Sequence, residues 1–340
     1  MAHVSVTYLR TENLENPLGI DMPAPRFSWQ ITTTNPKLKD IRQTAYQIIV
    51  STDGKELWNS GKVASDQQLW VPYQGQALKS NQHCTWRLKV YTNCGETPWS
   101  EPQRFSIGLL NESKWSGHWI GLERLMPGEE RGMHSRLAAR YLRQEFQLQD
   151  KPIRRATAFV AGLGLYEFYV NGECLNQTVL TPVPSDYRKT IYYNAYDITA
   201  QLSRKNCVGI VLGNGRQFAM RQNKPYKNVT FGLPKCRINI IVEYEDGKTE
   251  RIATDEKWRV TASGPIRANN EYDGEEYDAR MEMPGWNKVG FDDSRWLQAE
   301  RTEIPTGTLR AQMTEGMSMC ETSERLTHRN NIYDFGQNLS

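Results

Sequence analysis

The chain has 340 residues and a net charge of only +3, with Lys and Arg interspersed among Asp and Glu. No basic block points to nucleic acid or an anionic membrane, and no apolar run approaches the roughly 18 residues of a membrane helix. The abundance of Trp (10) and Tyr (16), with 25 Gly and 16 Pro to make turns, favours all-β modules over helical ones.

The start, Met1-Ala2-His3-Val4-Ser5-Val6, lacks the apolar core of a signal peptide. It reads as cytoplasmic as written, or as periplasmic or secreted if a leader was trimmed. Alternating strands follow at Arg26–Ile31, Gln43–Val50 and Thr85–Tyr91, with turns at Asp53-Gly54, Ser60-Gly61 and Asn93-Cys94-Gly95. A closing strand runs over Arg104–Ile107. About seven short strands in residues 1–110 predict a β-sandwich. Residues 111–136 read as a bridge, with Trp115, Trp119 and Ile120 as anchors and Gly128–Gly132 as a mobile loop.

The second module is expected over residues 137–304. Arg155–Val160 and Tyr166–Val170 form a strand pair joined at Gly162-Leu163-Gly164, and Asn171-Gly172 is a hairpin turn. A dinucleotide loop does not fit, since Glu167 stands where the third glycine would be and strand, not helix, follows. Asp197–Leu202 suits one short helix capped by Asp197. Later strands are expected at Val208–Leu212, Cys236–Val242 and Lys257–Thr261. About eight strands with little helix predict a jelly-roll sandwich. Residues 305–340 read as a linker and the start of another β-domain. The ending Tyr333-Asp334-Phe335-Gly336-Gln337-Asn338 looks like the opening of a β-element, so the sequence reads as the front part of a longer protein.

Six cysteines form no C-x-x-C pair, and the five histidines show no ligand spacing. Cys84 and Cys94 bracket one predicted strand. Ten extended residues span about 33 Å, too far to bridge, so free, mostly buried thiols are expected.

The ordered motifs carry a family resemblance over nearly the whole chain. Trp86-Arg87-Leu88-Lys89-Val90-Tyr91 followed by Trp99-Ser100 resembles the end of a fibronectin type III domain. Asn16-Pro17-Leu18-Gly19-Ile20-Asp21 and Pro25-Arg26-Phe27-Ser28-Trp29 resemble the opening of bacterial α-L-rhamnosidases of glycoside hydrolase family 78. Tyr166–Gly172, Asp186-Tyr187-Arg188-Lys189, Tyr193–Thr199, Leu212-Gly213-Asn214-Gly215, Gly274–Arg280 with Pro284-Gly285-Trp286, and Asp334–Asn338 match the family's next motifs in order. The resemblance implies a fibronectin type III-like sandwich, then a galactose-binding-like jelly roll. It places the catalytic acid and base in a helical (α/α)6 barrel downstream. No long helical periodicity is present, so no residue here is assigned as catalytic. The barrel itself is the implied partner, with a rhamnose-containing glycan as the second.

No cofactor is required. Some relatives of the second module bind rhamnose through calcium near the Asp-Tyr-Arg segment. By that resemblance Asp186 and Asn214 are the candidate calcium ligands, and Asp186, Tyr187, Asn214, Arg216 and Phe218 the candidate sugar contacts. The sequence departs from the family at Arg216-Gln217-Phe218 and at Pro182-Val183-Pro184, where a Trp is usual. Tyr187 or Phe218 stands in as the aromatic face, and Arg216 as a hydrogen-bond donor. Read from the residues alone, Asp186 caps a turn and Asn214 sits in a bend before Gly215.

Glycoside hydrolysis needs two carboxylates about the scissile bond. The one dense acidic cluster is Glu271, Asp273, Glu275, Glu276 and Asp278, which reads more simply as a charged hairpin with Asp278 paired to Arg280. Three functions remain open at this point: the accessory part of a glycosidase, a stand-alone carbohydrate-binding module, and an interface scaffold.

Overall fold

The structure, a computed structural model, describes residues 4–129, 136–218, 230–270 and 273–318, and the backbone of 327–329 and 332–334. The described residues hold strands and no α-helix. Helical geometry is limited to single 3-10 turns such as Glu112–Lys114 and Ala279–Met281. None is long and apolar enough to cross a membrane.

The first sandwich uses β1 (Val4–Thr11), β2 (Arg26–Thr33), β3 (Gln43–Thr52), β4 (Lys55–Asn59), β5 (Val71–Pro72), β6 (His83–Thr92), β7 (Gly95–Glu96) and β8 (Gln103–Ser106). One sheet runs β1-β2-β5. The other runs β4-β3-β6-β7, with β8 also on β6. Strand alternation puts Ile48, Val50, Trp86, Leu88 and Val90 inside, against Phe27, Trp29 and Phe105 of the neighbouring strands. Trp29 is fully buried, and its indole N–H is satisfied by Gln43 Oε1 at 2.9 Å. Cys84 is buried near the start of β6 and Cys94 is exposed beyond its end.

The second sandwich contains β9 (Ile120–Gly121), β10 (Arg140–Gln147), β11 (Ile153–Leu163), β12 (Leu165–Val170), β13 (Glu173–Cys174), β14 (Thr190–Asp197), β15 (Lys205–Gly213), β16 (Lys235–Tyr244), β17 (Thr249–Ala253) and β18 (Arg259–Thr261). A hairpin follows, β19 (Ile266–Asn270) and β20 (Gly274–Tyr277). Three short strands complete the sheets: β21 (Leu297–Gln298), β22 (Glu300–Arg301) and β23 (Thr308–Ala311). The six-stranded sheet is β13-β12-β15-β10-β18-β21 and the seven-stranded sheet is built on β22-β9-β16-β11-β14-β23. Their facing sides share one core of Leu142, Val160, Phe168, Ile210, Ile240 and Trp258. An antiparallel pair, 327–329 with 332–334, follows. Phe335–Asn338 lie outside the described residues.

Two sequence expectations change. Asp197–Leu202 is a turn, not a helix. Six residues are too few to repay helix nucleation, and the Asp197 carboxylate instead accepts the Thr199 N–H at 3.0 Å and its hydroxyl at 2.6 Å. The stretch expected to bridge the modules is partly built into the second one. β9 pairs with β16, and Asn239 Oδ1 accepts the Ser116 and Gly117 N–H groups at 2.9 and 3.1 Å. Arg237 lies 5.4 Å from the Trp115 ring. Glu129, expected in a mobile loop, is ion-paired to the fully buried Arg140. Glu130–Gly132 lie outside the described residues.

The outer face of the seven-stranded sheet is buried as well. Phe159, Ala161, Tyr193 and Ile241 cluster there with Leu109, Trp115 and Trp119, so β11 is covered on both sides. Polar groups bind the sandwiches together: Asn81 Nδ2 donates to Glu243 Oε1 at 2.9 Å, and Asp53 pairs with both Arg154 and Arg155.

His83 lies in this junction, 3.3 Å from the Thr157 hydroxyl. Burial, helped by the neighbouring Arg155 charge, pushes its pKa down to about 4, against about 6.5 in an unfolded chain. Between those values the unfolded chain takes up a proton that the folded chain refuses. Stability therefore falls as pH drops from 6.5 to 4, by up to roughly 3 kcal/mol, and this contribution is constant above pH 6.5. Urea midpoints at pH 7 and pH 4.5 should show a wild-type loss that His83→Gln lacks. An equal loss in both proteins would place the acid sensitivity elsewhere.

Candidate functional site

Asp186 opens a tight turn, its carbonyl accepting the N–H groups of Lys189 and Thr190 at 2.8 and 2.9 Å. Its carboxylate is clamped by Arg188, at 2.9 Å from Nε and 3.1 Å from Nη2. That hydrogen-bonded guanidinium holds the carboxyl below the usual range. Tyr187 is buried against Phe231, with ring centroids 5.5 Å apart.

Asn214 follows β15 and is buried. Its amide donates to Leu137 O at 3.2 Å and Asn269 O at 2.7 Å, while Oδ1 has no partner. Its carbonyl accepts the Phe218 N–H at 3.1 Å, and Phe218 packs on Leu137 and Leu233. Arg216 is exposed. Of the five candidates, Tyr187 and Arg216 line one cavity of about 310 Å³ together with Pro182, Val183 and Pro184. Asp186, Asn214 and Phe218 do not line it.

Calcium takes six to eight oxygens. Here the Asp186 carboxylate already serves Arg188, and it shares neither a hydrogen bond nor this cavity with Asn214. Among the described residues no group of three or more His, Cys, Asp or Glu gathers as a metal site. Among the described residues, Asp186 and Asn214 are not joined as ligands of one ion.

The acidic cluster falls on the β19–β20 hairpin, with Glu271 outside the described residues. Glu276 pairs with Arg136. Asn270 donates to Asp273 Oδ2 at 3.0 Å. Asp278 caps the 279–281 turn and pairs with Arg280 at 2.8 and 2.7 Å, which holds its carboxyl at about 2. A carboxyl so low cannot hold the proton that a glycosidic acid must deliver near neutrality.

A different set of side chains converges on the outer face of the six-stranded sheet. On β12, Tyr166, Phe168 and Val170 enter the core, which turns Leu165, Glu167 and Tyr169 outward. Tyr141 and Val211 share that outer face. Trp286 folds back onto it where Gly209 leaves room: a Cβ there would lie 2.7 Å from the indole. Tyr141 and Tyr169 meet Trp286 edge-on at 5.3 and 5.5 Å. These residues, with Tyr277 and Glu282, line a cleft of about 410 Å³. It runs into a second of about 470 Å³ through shared Glu167, Val211 and Ile266. Strand parity alone marks Tyr169 as outward. Nothing in the local sequence shows that residues 283–296 cover part of this face.

Residues 151–321 match the α-L-rhamnosidase N-terminal domain, and residues 6–111 the Rha78A-like N-terminal immunoglobulin domain. The chain belongs to the α-L-rhamnosidase family. An α-L-rhamnosidase of Formosa agariphila is 35% identical over 360 residues, covering 96% of this chain and 37% of that protein. The structure of an α-L-rhamnosidase from Dictyoglumus thermophilum superposes with a TM-score of 0.85 at 35% identity, over 98% of this chain and 38% of that one. One from Aspergillus terreus gives 0.80 at 28% identity, over 91% and 35%. The chain thus spans little more than a third of these rhamnosidases and corresponds to their N-terminal region. The rhamnosidase opening motif is structural here. Asn16 Oδ1 accepts the Arg104 N–H at 2.7 Å, Ile20 is buried in the first core, and Asp21 Oδ2 accepts the Ala311 N–H at 3.3 Å.

Proposed function

We propose that the chain is the non-catalytic N-terminal support of an α-L-rhamnosidase acting on terminal rhamnose of plant or bacterial glycans, and that it positions a downstream (α/α)6 catalytic barrel. The observation that carries this reading is the junction of the two sandwiches. A buried cluster around Phe159, Tyr193 and Trp115, together with the ion pairs of Arg155 with Asp53 and Glu243, ties the two sandwiches to each other. The candidate carboxylates Glu276 and Asp278 are spent on arginines. The isolated chain should therefore not hydrolyse an aryl α-L-rhamnoside above background. Turnover that survives repurification and disappears in Glu275→Gln or Glu276→Gln would overturn the assignment and move the chemistry into the hairpin.

The binding-module reading rests on the cavity beside Tyr187 and Arg216. With the usual Trp absent and Asp186 clamped, rhamnose should bind there in the millimolar range at best. Calorimetric titration with calcium, with chelator and with Asp186→Ala checks this. A calcium-dependent micromolar dissociation constant abolished by that substitution would show that Arg188 yields its partner to the metal.

A further inference from the structure

The cleft of about 410 Å³ is walled by aromatic rings and by acid. Tyr141, Tyr169, Tyr277 and Trp286 line it with Glu167 and Glu282. Trp286 is braced by edge contacts with Tyr141 and Tyr169 and by stacking on Trp296, with ring centroids 6.3 Å apart. Tyr277 is 54% exposed at the rim. Its hydroxyl donates to Glu282 Oε1 at 2.8 Å, and the Tyr169 hydroxyl donates to Glu167 Oε2. Each bond holds a ring beside a carboxylate that keeps acceptor capacity. No cation among the described residues pairs with Glu167 or Glu282, and no Lys, Arg or His among them lines the cleft. Nearby, Arg280 is taken by Asp278 and Arg136 by Glu276. The phenols report the field. Burial raises the pKa of Tyr141, and Glu167 and Glu275 add to it. At Tyr277 the hydrogen bond to Glu282 is the main cause of a rise. A negative field that opposes a phenolate favours a bound cation.

We infer that this aromatic and acidic cleft binds a small organic ammonium ion. An ammonium group over a Tyr or Trp face is attracted by the ring quadrupole, more strongly where water is excluded. The two carboxylates supply the counter-charge, and the alkyl groups of the ion displace water from the apolar walls. The volume lies in the range of small-molecule sites. A bare metal ion fits less well. It needs several converging oxygens, and among the described residues no group of three or more His, Cys, Asp or Glu gathers as a metal site. The cleft opens into the lobe that reaches Leu180 and Thr181, beside the rhamnose locus. Ligand class therefore separates the two readings. An ammonium ion gains charge pairing from Glu167 and Glu282, and a neutral sugar does not.

The test is titration of the 340-residue chain with tetramethylammonium chloride and with 1,5-diaminopentane, read by tryptophan fluorescence at constant ionic strength. Neutral probes of similar shape, tert-butanol and pentane-1,5-diol, run alongside, and rhamnose is added as a competitor. The two cations should bind saturably, the neutral probes should bind at least tenfold more weakly, and rhamnose should displace neither cation. Tyr277→Ala should lower the association constant about tenfold, as loss of an anchoring aromatic does. Glu282→Gln and Glu167→Gln, which keep the shape, should each lower it about fivefold. Asp246→Asn removes an equal charge elsewhere on the same sandwich and should leave it unchanged. The inference fails if neither cation binds saturably or if the neutral probes bind as well as the cations do. It fails too if rhamnose displaces them, if both glutamine variants bind as wild type does, or if Asp246→Asn weakens binding as much as Glu282→Gln.

Discussion

Glu129→Ala should be among the most damaging single substitutions in this chain, costing about 3–5 kcal/mol. Arg140 is fully buried on the core-facing side of β10, and only 3% of the Glu129 side chain is exposed. The two form a bidentate pair, with Nη2 to Oε2 at 2.8 Å. The same carboxylate accepts the N–H groups of Met126 at 2.7 Å and Ala138 at 3.1 Å. Removing it strands a buried guanidinium and two amides. Thermal unfolding should shift down by roughly 10 °C. Glu129→Leu combined with Arg140→Met removes both charges and should recover most of the loss, since the penalty comes from the unpaired ion. A shift under about 2 °C for Glu129→Ala would mean that water reaches Arg140 and the site is not dry.

Gly19→Ala should weaken the coupling of the two sandwiches by about 3 kcal/mol. Gly19 has φ +75°, and a Cβ there would stand 2.5 Å from the Ala195 Cβ and 3.5 Å from the Phe159 ring. Backbone strain contributes roughly 1–2 kcal/mol and overpacking roughly 1–3 kcal/mol. Its N–H is held by Ser106 Oγ at 2.9 Å, so the loop has little freedom to retreat. Because the clash falls between the cores, calorimetric unfolding should separate into two transitions, with the first sandwich melting on its own. One transition displaced by less than about 1 kcal/mol would show that the junction yields locally and that coupling does not pass through Gly19.

The all-β character, the two successive sandwiches and the family were legible in the sequence because each rests on short-range information. Strand alternation at Thr85–Tyr91 and Tyr166–Val170, the Asn171-Gly172 turn and the ordered motifs are all written in neighbouring residues. The Asp278–Arg280 pairing was legible for the same reason, being two residues apart.

Apart from the Asp197–Leu202 turn, which is a local effect, the failures share one cause as well. Glu129 looks like part of a polar loop until β10 brings Arg140 beneath it, and Trp115 looks like a connector residue until Arg237 and Asn239 arrive from β16. Parity turns Tyr169 outward, but only the return of residues 283–296 over Gly209 makes a cleft of it. Alternation and turn chemistry are fixed by backbone geometry within a few residues, so the sequence by itself determined the elements, the fold class and the family. Burial, ion pairing and cavity shape depend on partners far apart in the chain. Asn81 meets Glu243 across 162 positions, and Arg143 meets Asp293 across 150. Which charges are locked away, how the sandwiches join and where a ligand can lie were therefore decided only by the tertiary structure.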